Sequence, residues 1–416
     1  MSIIEDLWFK RRDIVSGGYD ESLEYISKLI TLKIHKFKTG KQCWTWTIPK
    51  KWTINEGWIK DQEGKILLHS KDHPLHILTY SQSIDKVVNH EELMKHMSSN
   101  KDRPNSIPYH ERLIYGNDWG FAIQHSKLQN FNSSQYHVYI DSKFEDGFLK
   151  VGEIEIKGDI EDTIVIVAHL DHPCMANDDL TGVVGLVELA KKLKDRKNHF
   201  TYKLFLVPET IGSIAFLSNN ENIIPTIKFG LFFEMLGTKN EIILQHSQQE
   251  NTKIDKIASY VFKNNLDKYK ELPFIAIMAN DEQVWNGPGV NIPMIAIGRG
   301  HYPEYHTSDD RPDIINDSSI LECVDIASKI LEIYDSDYTP RRKFKGPVFL
   351  SKYYLYIDKT QGKPDDAYKI RKLFNNFEGD KTIFEISNIL DWDFNKTLTW
   401  TNKFLEKNLI EKKLEK

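Results

Sequence analysis

Apolar runs separated by amphipathic stretches dominate the chain after residue 135. The runs have the length of buried strands and lie at 136–140, 148–156, 164–168, 202–207, 229–233, 274–278 and 292–297. Between two of them, Val183, Leu186 and Leu193 share one helical face while Lys191 and Lys194 lie on another. Buried strands that alternate with amphipathic helices are typical of a mostly parallel sheet covered on both faces. The pattern therefore predicts an α/β fold.

The N-terminal third of the chain has a different pattern. Leu23, Ile26 and Ile30 recur at helical spacing and predict a helix within the first 35 residues, with Asp20 as its N-cap. From about residue 39 to 119, short aromatic runs alternate with turn residues, which is typical of strands and turns. We expect the tryptophans of this part to form an aromatic core, with capping of a substrate as the alternative.

These patterns divide the chain into three predicted domains. A discontinuous α/β domain would comprise 1–37 and 131–340, and a small β-rich domain would be inserted at 38–130. The insert is too long to be a loop of a compact domain, so it is expected to fold as a unit beside the α/β domain.

The C-terminal segment forms the third predicted domain, at 345–416, after a basic linker at 341–347. Residues 341–416 contain 17 Lys and Arg against 11 Asp and Glu, a net charge of +6. Two amphipathic helices separated by the short turn 391–393 predict a winged helix-turn-helix.

Composition narrows the class of protein. The 416 residues carry a formal net charge of -5, which excludes an overall polycation. No apolar stretch approaches the roughly 20 residues that span a bilayer. Three widely separated cysteines do not suggest a disulfide framework. We therefore expect a cytoplasmic protein without membrane contact.

Side chains that can bind metals follow four of the predicted strands. They are His169, Asp171 and Asp178 after the first, Glu209 after the second, Glu234 after the third, and Tyr305 and His306 after the fourth. The carboxyl ends of parallel strands share one edge of a sheet, where the sites of α/β proteins lie. Imidazole and carboxylate together suit zinc and similar divalent ions.

A metal site with open positions lowers the pKa of water and polarises a carbonyl group. Hydrolysis also requires a base, and Glu209 follows a proline at a strand end in a suitable position. The spacing therefore predicts a metal hydrolase without identifying its substrate. The alternative for His169 and Asp171 alone is a buried pair with a structural role.

The order of these motifs resembles the zinc-dependent aminopeptidases of the phosphorylase/hydrolase-like fold. The matching motifs are His169-Leu-Asp171, Asn177-Asp178-Asp179-Leu-Thr-Gly182, Glu209-Thr210, Glu234-Met-Leu-Gly237 and Tyr305-His306. The whole chain is similar to bacterial aminopeptidase-like proteins with an inserted β-rich domain, a Pro-Glu-Thr-Ile-Gly-Ser motif, here at 208–213, and a C-terminal winged helix.

The resemblance implies a set of metal ligands. His169 would bind one ion, Asp178 would bridge two, and His306 would bind the second. Glu234 stands where the family has an aspartate ligand, so its longer side chain must reach the ion differently. Thr210 replaces the glutamate that normally binds the second ion. Either Glu209 serves two roles, or the second zinc site is weak, or one ion suffices.

The resemblance also implies catalytic roles. Glu209 would be the general base, and Asp171 would hold the ring of His169 through its other nitrogen. Tyr305 would donate a hydrogen bond to the developing oxyanion. The family pattern gives His172 a supporting or substrate-facing position rather than that of a ligand.

Four further features have alternative interpretations. Asp179 is expected to cap a helix, with metal binding as the alternative. The pair 281–282 is expected in a surface turn, with contact to a substrate amine as the alternative. Arg299 is equally compatible with a structural role and with binding of a substrate carboxylate. Cys174 has no identifiable base partner, so thiol catalysis is not expected.

Two functions of different classes follow from the sequence. The favoured one is a zinc-dependent aminopeptidase acting on a short peptide or a small amide conjugate. The alternative is a regulator whose degenerate hydrolase domain senses a ligand while the winged helix binds DNA. The last predicted helix mixes Glu406 and Glu411 among its lysines, so packing or homo-oligomer contact is favoured over nucleic-acid binding.

Overall fold

The computed structural model describes residues 2–110, 115–277, 279–357 and 364–413. The chain divides into two compact units, Met1–Ser328 and Lys329–Lys416. All the candidate site residues lie in the first unit.

The described secondary structure is mixed. The helices are α1 (Ser2–Leu7), α2 (Gly17–Ser27), α3 (His90–Lys95), α4 (Leu180–Lys194), α5 (Ile211–Ser218), α6 (Lys253–Asn265), α7 (Asp281–Trp285), α8 (Asp317–Ser336), α9 (Pro364–Phe374), α10 (Ile383–Leu390) and α11 (Phe394–Glu406). The strands are β1 (Lys33–Lys38), β2 (Gln42–Cys43), β3 (Trp46–Thr47), β4 (Lys51–Lys60), β5 (Ile66–His69), β6 (Ile84–Asn89), β7 (Met97–Ser98), β8 (Phe121–Ala122), β9 (Gln135–Glu145), β10 (Phe148–Ile156), β11 (Thr163–His169), β12 (Thr201–Val207), β13 (Ile227–Glu234), β14 (Ile242–Gln245), β15 (Tyr269–Leu272), β16 (Met294–Gly298), β17 (Pro340–Arg342) and β18 (Ile410–Lys412). Short 3₁₀ helices lie at Pro74–His76, His125–Asn130, Glu221–Thr226, Pro312–Ile314 and Leu350–Tyr353.

An eight-stranded sheet forms the centre of the first unit, in the order β1-β10-β12-β11-β13-β16-β14-β15. Its middle strands β12, β11, β13 and β16 are parallel, as the apolar runs predict. The flanks join this centre through antiparallel pairs, since β10 is antiparallel to β1 and β12 and β14 is antiparallel to β16, while the edge strand β15 is parallel to β14. The sheet is therefore mixed. The strand β10 was predicted but its antiparallel direction was not, because direction depends on the partner strand. The strands β1, β14 and β15 were not predicted, because they are short or partly exposed and lack the long apolar runs of the buried parallel centre.

Helices cover both faces of the parallel centre. Val165 and Val167 of β11 pack with Ile211 of α5 and Trp285 of α7 in one hydrophobic cluster. Alternate residues of a strand point to opposite faces, and α4 packs on the other side of β11 and β13. Since the four middle strands run in the same direction, their carboxyl ends open at one edge, where the candidate site lies.

A four-stranded antiparallel sheet, β5-β4-β9-β6, lies in the N-terminal half of the first unit. Its core is aromatic: Trp52 is buried and stacked on Tyr80 at 5.8 Å. The central strand β9 falls after residue 130, so the run at 136–140 belongs to this sheet and not to the large one. The division of the first unit into an insert and a catalytic domain stays a prediction.

Two local predictions were wrong. The helix predicted within the first 35 residues is α2, but Asp20 is not its N-cap. Ser16 caps this helix by accepting a hydrogen bond from the Tyr19 N–H. The run at 274–277 is a turn with Ile275 47% exposed, and Met278 lies outside the described residues. The strand β15 ends just before Pro273, which has no N–H to continue a ladder.

The second unit contains helices α9, α10 and α11 and the antiparallel pair β17–β18. Both predicted amphipathic helices are present, as α10 and α11, and Trp392 is buried in the hydrophobic core of the unit. Its assignment as a winged helix stays a prediction. None of the described helices is both long enough and apolar enough to cross a membrane.

Candidate metal centre

Asp178 lies at the centre of the site, in the loop between β11 and α4, and is almost completely buried. Its Oδ1 lies 3.2 Å from His169 Nε2, and its Oδ2 lies 3.0 Å from His306 Nε2 and 3.2 Å from His172 Nδ1. Three imidazoles therefore surround one carboxylate. The two carboxylate oxygens face different imidazoles, which is the arrangement of a bridging ligand.

His169 is the last residue of β11 and is fully buried. Its Nε2 lies 3.6 Å from Glu234 Oε2, and its Nδ1 lies 3.3 Å from Asp171 Oδ1. Burial by itself would lower the pKa of His169. The charge of Glu234 and the contacts with Asp171 and Asp178 outweigh burial and raise this pKa well above its usual range. Glu234, at the end of β13, thus reaches the ring from the neighbouring strand.

His172 and Glu209 form a contact that the motif pattern did not reveal. His172 Nε2 lies 2.9 Å from Glu209 Oε2, while the other ring nitrogen faces Asp178. The Glu209 backbone N–H donates to Asp171 Oδ1 at 2.8 Å, which fixes this residue after β12. Burial by itself would raise the pKa of Glu209, but the hydrogen bond and charge of His172 lower it to about 2. Glu209 is therefore an ionised proton acceptor across the neutral range.

The loop that carries Asp178 is held by a carboxylate that sequence reasoning missed. Asp310 accepts hydrogen bonds from the backbone N–H of Asn177 at 2.7 Å, from that of Asp178 at 3.1 Å and from the Tyr302 hydroxyl at 2.8 Å. Asp310 follows the Tyr305-His306 motif by only four residues. No spacing distinguishes it from its neighbour Asp309, so only the folded loop identifies it.

Asp179 caps α4, as predicted, by accepting the Gly182 N–H at 3.0 Å. The same oxygen accepts the Met235 N–H at 2.9 Å and thereby ties the start of the helix to the residue after Glu234. His169, Asp179 and Glu234 lie close enough together to form a three-donor group for a metal, as do His169, His172 and Asp178.

Tyr305 and His306 lie in the loop after β16, where their rings stack at 3.9 Å. Burial, and next the charge of Asp178, raise the pKa of Tyr305, so its hydroxyl stays protonated and can donate. Tyr109 lies against this loop: its backbone N–H donates to the His306 carbonyl at 2.8 Å. Its ring packs edge-on against the rings of His172 and His306 at 5.3 and 5.1 Å.

The donor set fits a divalent metal ion. His169 Nε2, both oxygens of Asp178, Glu234 Oε2 and His306 Nε2 are buried atoms that make no hydrogen bond within the described structure. A buried polar atom that makes no hydrogen bond costs free energy unless a cation or a water molecule binds to it. Two imidazoles and two carboxylates are ligands that zinc accepts.

Three of the alternatives are settled by geometry. Arg299 donates to the carbonyls of Asn240 and Ser319 and to the carboxylate of Glu322, so its role is structural. Cys174 is buried, and burial raises the pKa of its thiol to about 12, which leaves no thiolate for catalysis. The pair 281–282 is not a surface turn but begins the buried helix α7.

Asp281 lies beneath Thr210 and binds its backbone. The Thr210 N–H donates to Asp281 Oδ2 at 3.1 Å, and the Ser213 hydroxyl donates to Oδ1. Burial raises the pKa of Asp281 to about 7 despite these hydrogen bonds, and raises that of Glu282 to about 8. The prediction of a surface turn was wrong because Asp281 is buried against Ser213 of α5 and Glu282 is buried against Gln245 of β14. One sequence cannot reveal this tertiary contact.

The buried acid predicts how stability depends on pH. Because the unfolded pKa of aspartate is about 3.9, the unfolded chain loses the Asp281 proton before the folded protein does. The contribution of Asp281 to the free energy of unfolding is therefore full below about pH 4 and is lost as pH rises to about 7. The loss is at most about 1.4 kcal/mol per pH unit. Asp281→Asn should flatten this decline in urea titrations of metal-free protein.

Ser213→Ala provides the control for this experiment. It removes a hydrogen bond but keeps the carboxyl group, so it should lower the free energy of unfolding without flattening its decline with pH. Parallel curves for the wild-type protein and Asp281→Asn between pH 4.5 and 7 would contradict the interpretation.

Comparison with known proteins supports an aminopeptidase-like fold and the class of peptidase-like hydrolases. A crystal structure of a candidate peptidase from Clostridium acetobutylicum has a TM-score of 0.87 and 26% identity, covering 99% of this chain and 95% of that one. A zinc aminopeptidase from Bacillus subtilis has a TM-score of 0.61 and 13% identity over 79% of this chain and 93% of its own, which shows a shared fold.

Sequence comparison identifies the family. A C. acetobutylicum protein, named as a candidate polysaccharide biosynthesis protein with an aminopeptidase-like domain, is 32% identical over 326 residues. That match covers 77% of this chain and 74% of the relative. The model of the family described as a domain of unknown function, DUF4910, matches residues 1–337. The protein therefore belongs to the DUF4910 family, with an aminopeptidase-like fold.

Proposed function

We propose that the protein is a zinc-dependent, aminopeptidase-like hydrolase that removes an N-terminal residue from a short peptide or cleaves the amide bond of a small conjugate. One observation carries this proposal. Buried imidazole and carboxylate atoms from three strand-end loops meet around Asp178 without hydrogen bonds between them. The fold that this chain shares with the B. subtilis zinc aminopeptidase supports the choice of zinc.

His169, Asp178, Glu234 and His306 would hold the metal. When bound, a zinc ion supplies a Lewis acid for the scissile carbonyl and lowers the pKa of water. Glu209, the most exposed of the acidic groups at 23% of its side chain, would accept the proton of the attacking water.

Two further residues would support the reaction. Tyr305, whose pKa is raised, would donate a hydrogen bond to the oxyanion. Asp171 would orient the His169 ring through Nδ1.

Contacts of the segment 103–109 favour small substrates. Arg103 and Ser106 bind the carboxylate of Asp309, and Pro108 pairs with Thr307 in an isolated bridge. This segment therefore lies along the loop that carries His306 and narrows access to it from one side. An exopeptidase or a small-amide hydrolase is consistent with such a restricted entrance. The relative named for polysaccharide biosynthesis favours amide-linked sugars as the second substrate class.

The experiment is a hydrolysis assay on zinc-loaded protein with dipeptides, aminoacyl anilides and N-acylated amino sugars. We expect release of a free amine from one of these classes, loss of release after chelation, and its recovery with zinc. Protein that binds zinc stoichiometrically but hydrolyses none of the three classes would contradict the proposal.

Cytoplasmic location, homo-oligomer contacts and the absence of nucleic-acid binding remain predictions from the sequence.

A further inference from the structure

Three imidazoles face Asp178, one more than the ligand set implied by the family resemblance. His172 and His306 both face Oδ2 of Asp178, at 3.2 and 3.0 Å, while His169 faces Oδ1. The rings of His172 and His306 stand at 88° to one another with centroids 5.1 Å apart. Two imidazole nitrogens thus lie within 3.2 Å of Asp178 Oδ2, the carboxylate oxygen that does not face His169.

We propose that His172 is a ligand of a second metal position, together with His306 and Asp178 Oδ2, in place of the carboxylate missing at Thr210. This inference rests on the proposed metal-dependent function and concerns only its second ion. Two imidazoles and one carboxylate are an accepted three-ligand set for zinc that leaves a fourth position open.

The second ring nitrogen of His172 is oriented as a ligand requires. Metal-binding histidines almost always donate their other N–H to a carboxylate or carbonyl. His172 Nε2 lies 2.9 Å from Glu209 Oε2, so donation to Glu209 leaves Nδ1 with its lone pair directed towards Asp178 Oδ2. The hydrogen bond therefore selects the tautomer that can bind a metal at Nδ1.

The loop that carries His172 is held rigidly. The buried guanidinium of Arg12 donates to the carbonyls of Leu170 at 2.8 Å and Met175 at 2.9 Å, on either side of His172. Tyr109 packs edge-on against the ring itself. A ligand fixed in this way pays little conformational entropy when a metal binds.

A purely structural ion pair explains less of the geometry. A protonated His172 between Asp178 and Glu209 would account for its own two contacts. It would leave His306 Nε2 and Asp178 Oδ2 buried at 3.0 Å without a hydrogen bond between them. A cation bound by Asp178 Oδ2 and His306 Nε2 would satisfy both of these atoms, and His172 is the other imidazole that faces the same oxygen. Thr210 offers only a short side chain, and its N–H is already bound to Asp281.

The test is the zinc stoichiometry of His172→Asn. Asparagine is chosen because His172 has a φ of 73°, a backbone conformation that asparagine tolerates well. Metal-free proteins are titrated with zinc against a chromophoric chelator, and folding is checked by circular dichroism. We expect two zinc ions for the wild-type protein, and one for the variant, with the affinity of the second position lowered by at least about 100-fold. His76→Asn, which changes a buried histidine outside the site, should keep two.

X-ray absorption of the zinc-loaded wild-type protein gives a readout that needs no variant. We expect three imidazole ligands shared between the two zinc ions. A count of only two imidazole ligands would overturn the assignment of His172. Unchanged binding of two ions by folded His172→Asn would also overturn it. A wild-type protein that binds one zinc and hydrolyses a substrate would refute the second position and leave the proposed function standing. A protein that binds no zinc and hydrolyses nothing would refute both.

Discussion

Replacing His169 by alanine is expected to lower the zinc affinity of the position beside Glu234 by more than about 100-fold, beyond the usual effect of losing a supporting residue. Among the described residues, His169 is the only imidazole that faces Asp178 Oδ1, and it also approaches Glu234 Oε2. Removing it leaves two buried carboxylates with no nitrogen ligand on that side. Zinc should therefore stabilise the variant against heat less than it stabilises the wild-type protein, since a ligand stabilises the folded state according to its affinity and only the position beside Glu234 loses a ligand.

His137→Ala is a matched control, because His137 is a partly exposed histidine of the small sheet, where it contacts Asp85 and the Trp58 ring away from the site. Its zinc affinity should equal that of the wild-type protein. The metal centre would be refuted by a metal-free wild-type protein that takes up no zinc on titration. Zinc binding unchanged in His169→Ala would instead remove His169 from the ligand set.

Glu209→Gln is expected to reduce kcat on any identified substrate by roughly 10²–10⁴-fold, the usual range for a lost general base. Glutamine keeps an oxygen that can accept from His172 Nε2, so the local structure should persist. It cannot take a proton from water, which is the role assigned to the ionised carboxylate. The low pKa of Glu209, about 2, means that the wild-type base is already charged at neutral pH.

The measurement pairs turnover with zinc affinity for the same preparation. Glu221→Gln is a suitable control, because this carboxylate accepts from the Trp44 ring N–H on the surface and should leave both values unchanged. An unchanged kcat in Glu209→Gln would exclude Glu209 as the base. Loss of zinc from this variant would show that Glu209 is itself a ligand in the place of the one missing at Thr210.

Sequence alone located the parallel centre of the sheet and the edge that carries the site. Strands β11, β12, β13 and β16 are almost wholly buried, so their apolar runs are local signals that survive in one sequence. The residue after each run then lies at the carboxyl end of a parallel strand, whatever the detailed packing. For this reason His169, Glu209, Glu234 and His306 could be proposed from their positions.

Tertiary structure decided what a linear pattern does not contain. His172 lies three residues from His169, and only the loop held by Arg12 directs its ring towards Asp178 and Glu209. Asp281 looked like a surface residue because its burial depends on the contact of α7 with Ser213 of α5, which is distant in the sequence. Asp310 became recognisable only through its hydrogen bonds to the Asp178 loop. Strand identity depends on neighbouring residues, whereas ring direction, burial of a carboxylate and loop support depend on segments far apart in the chain.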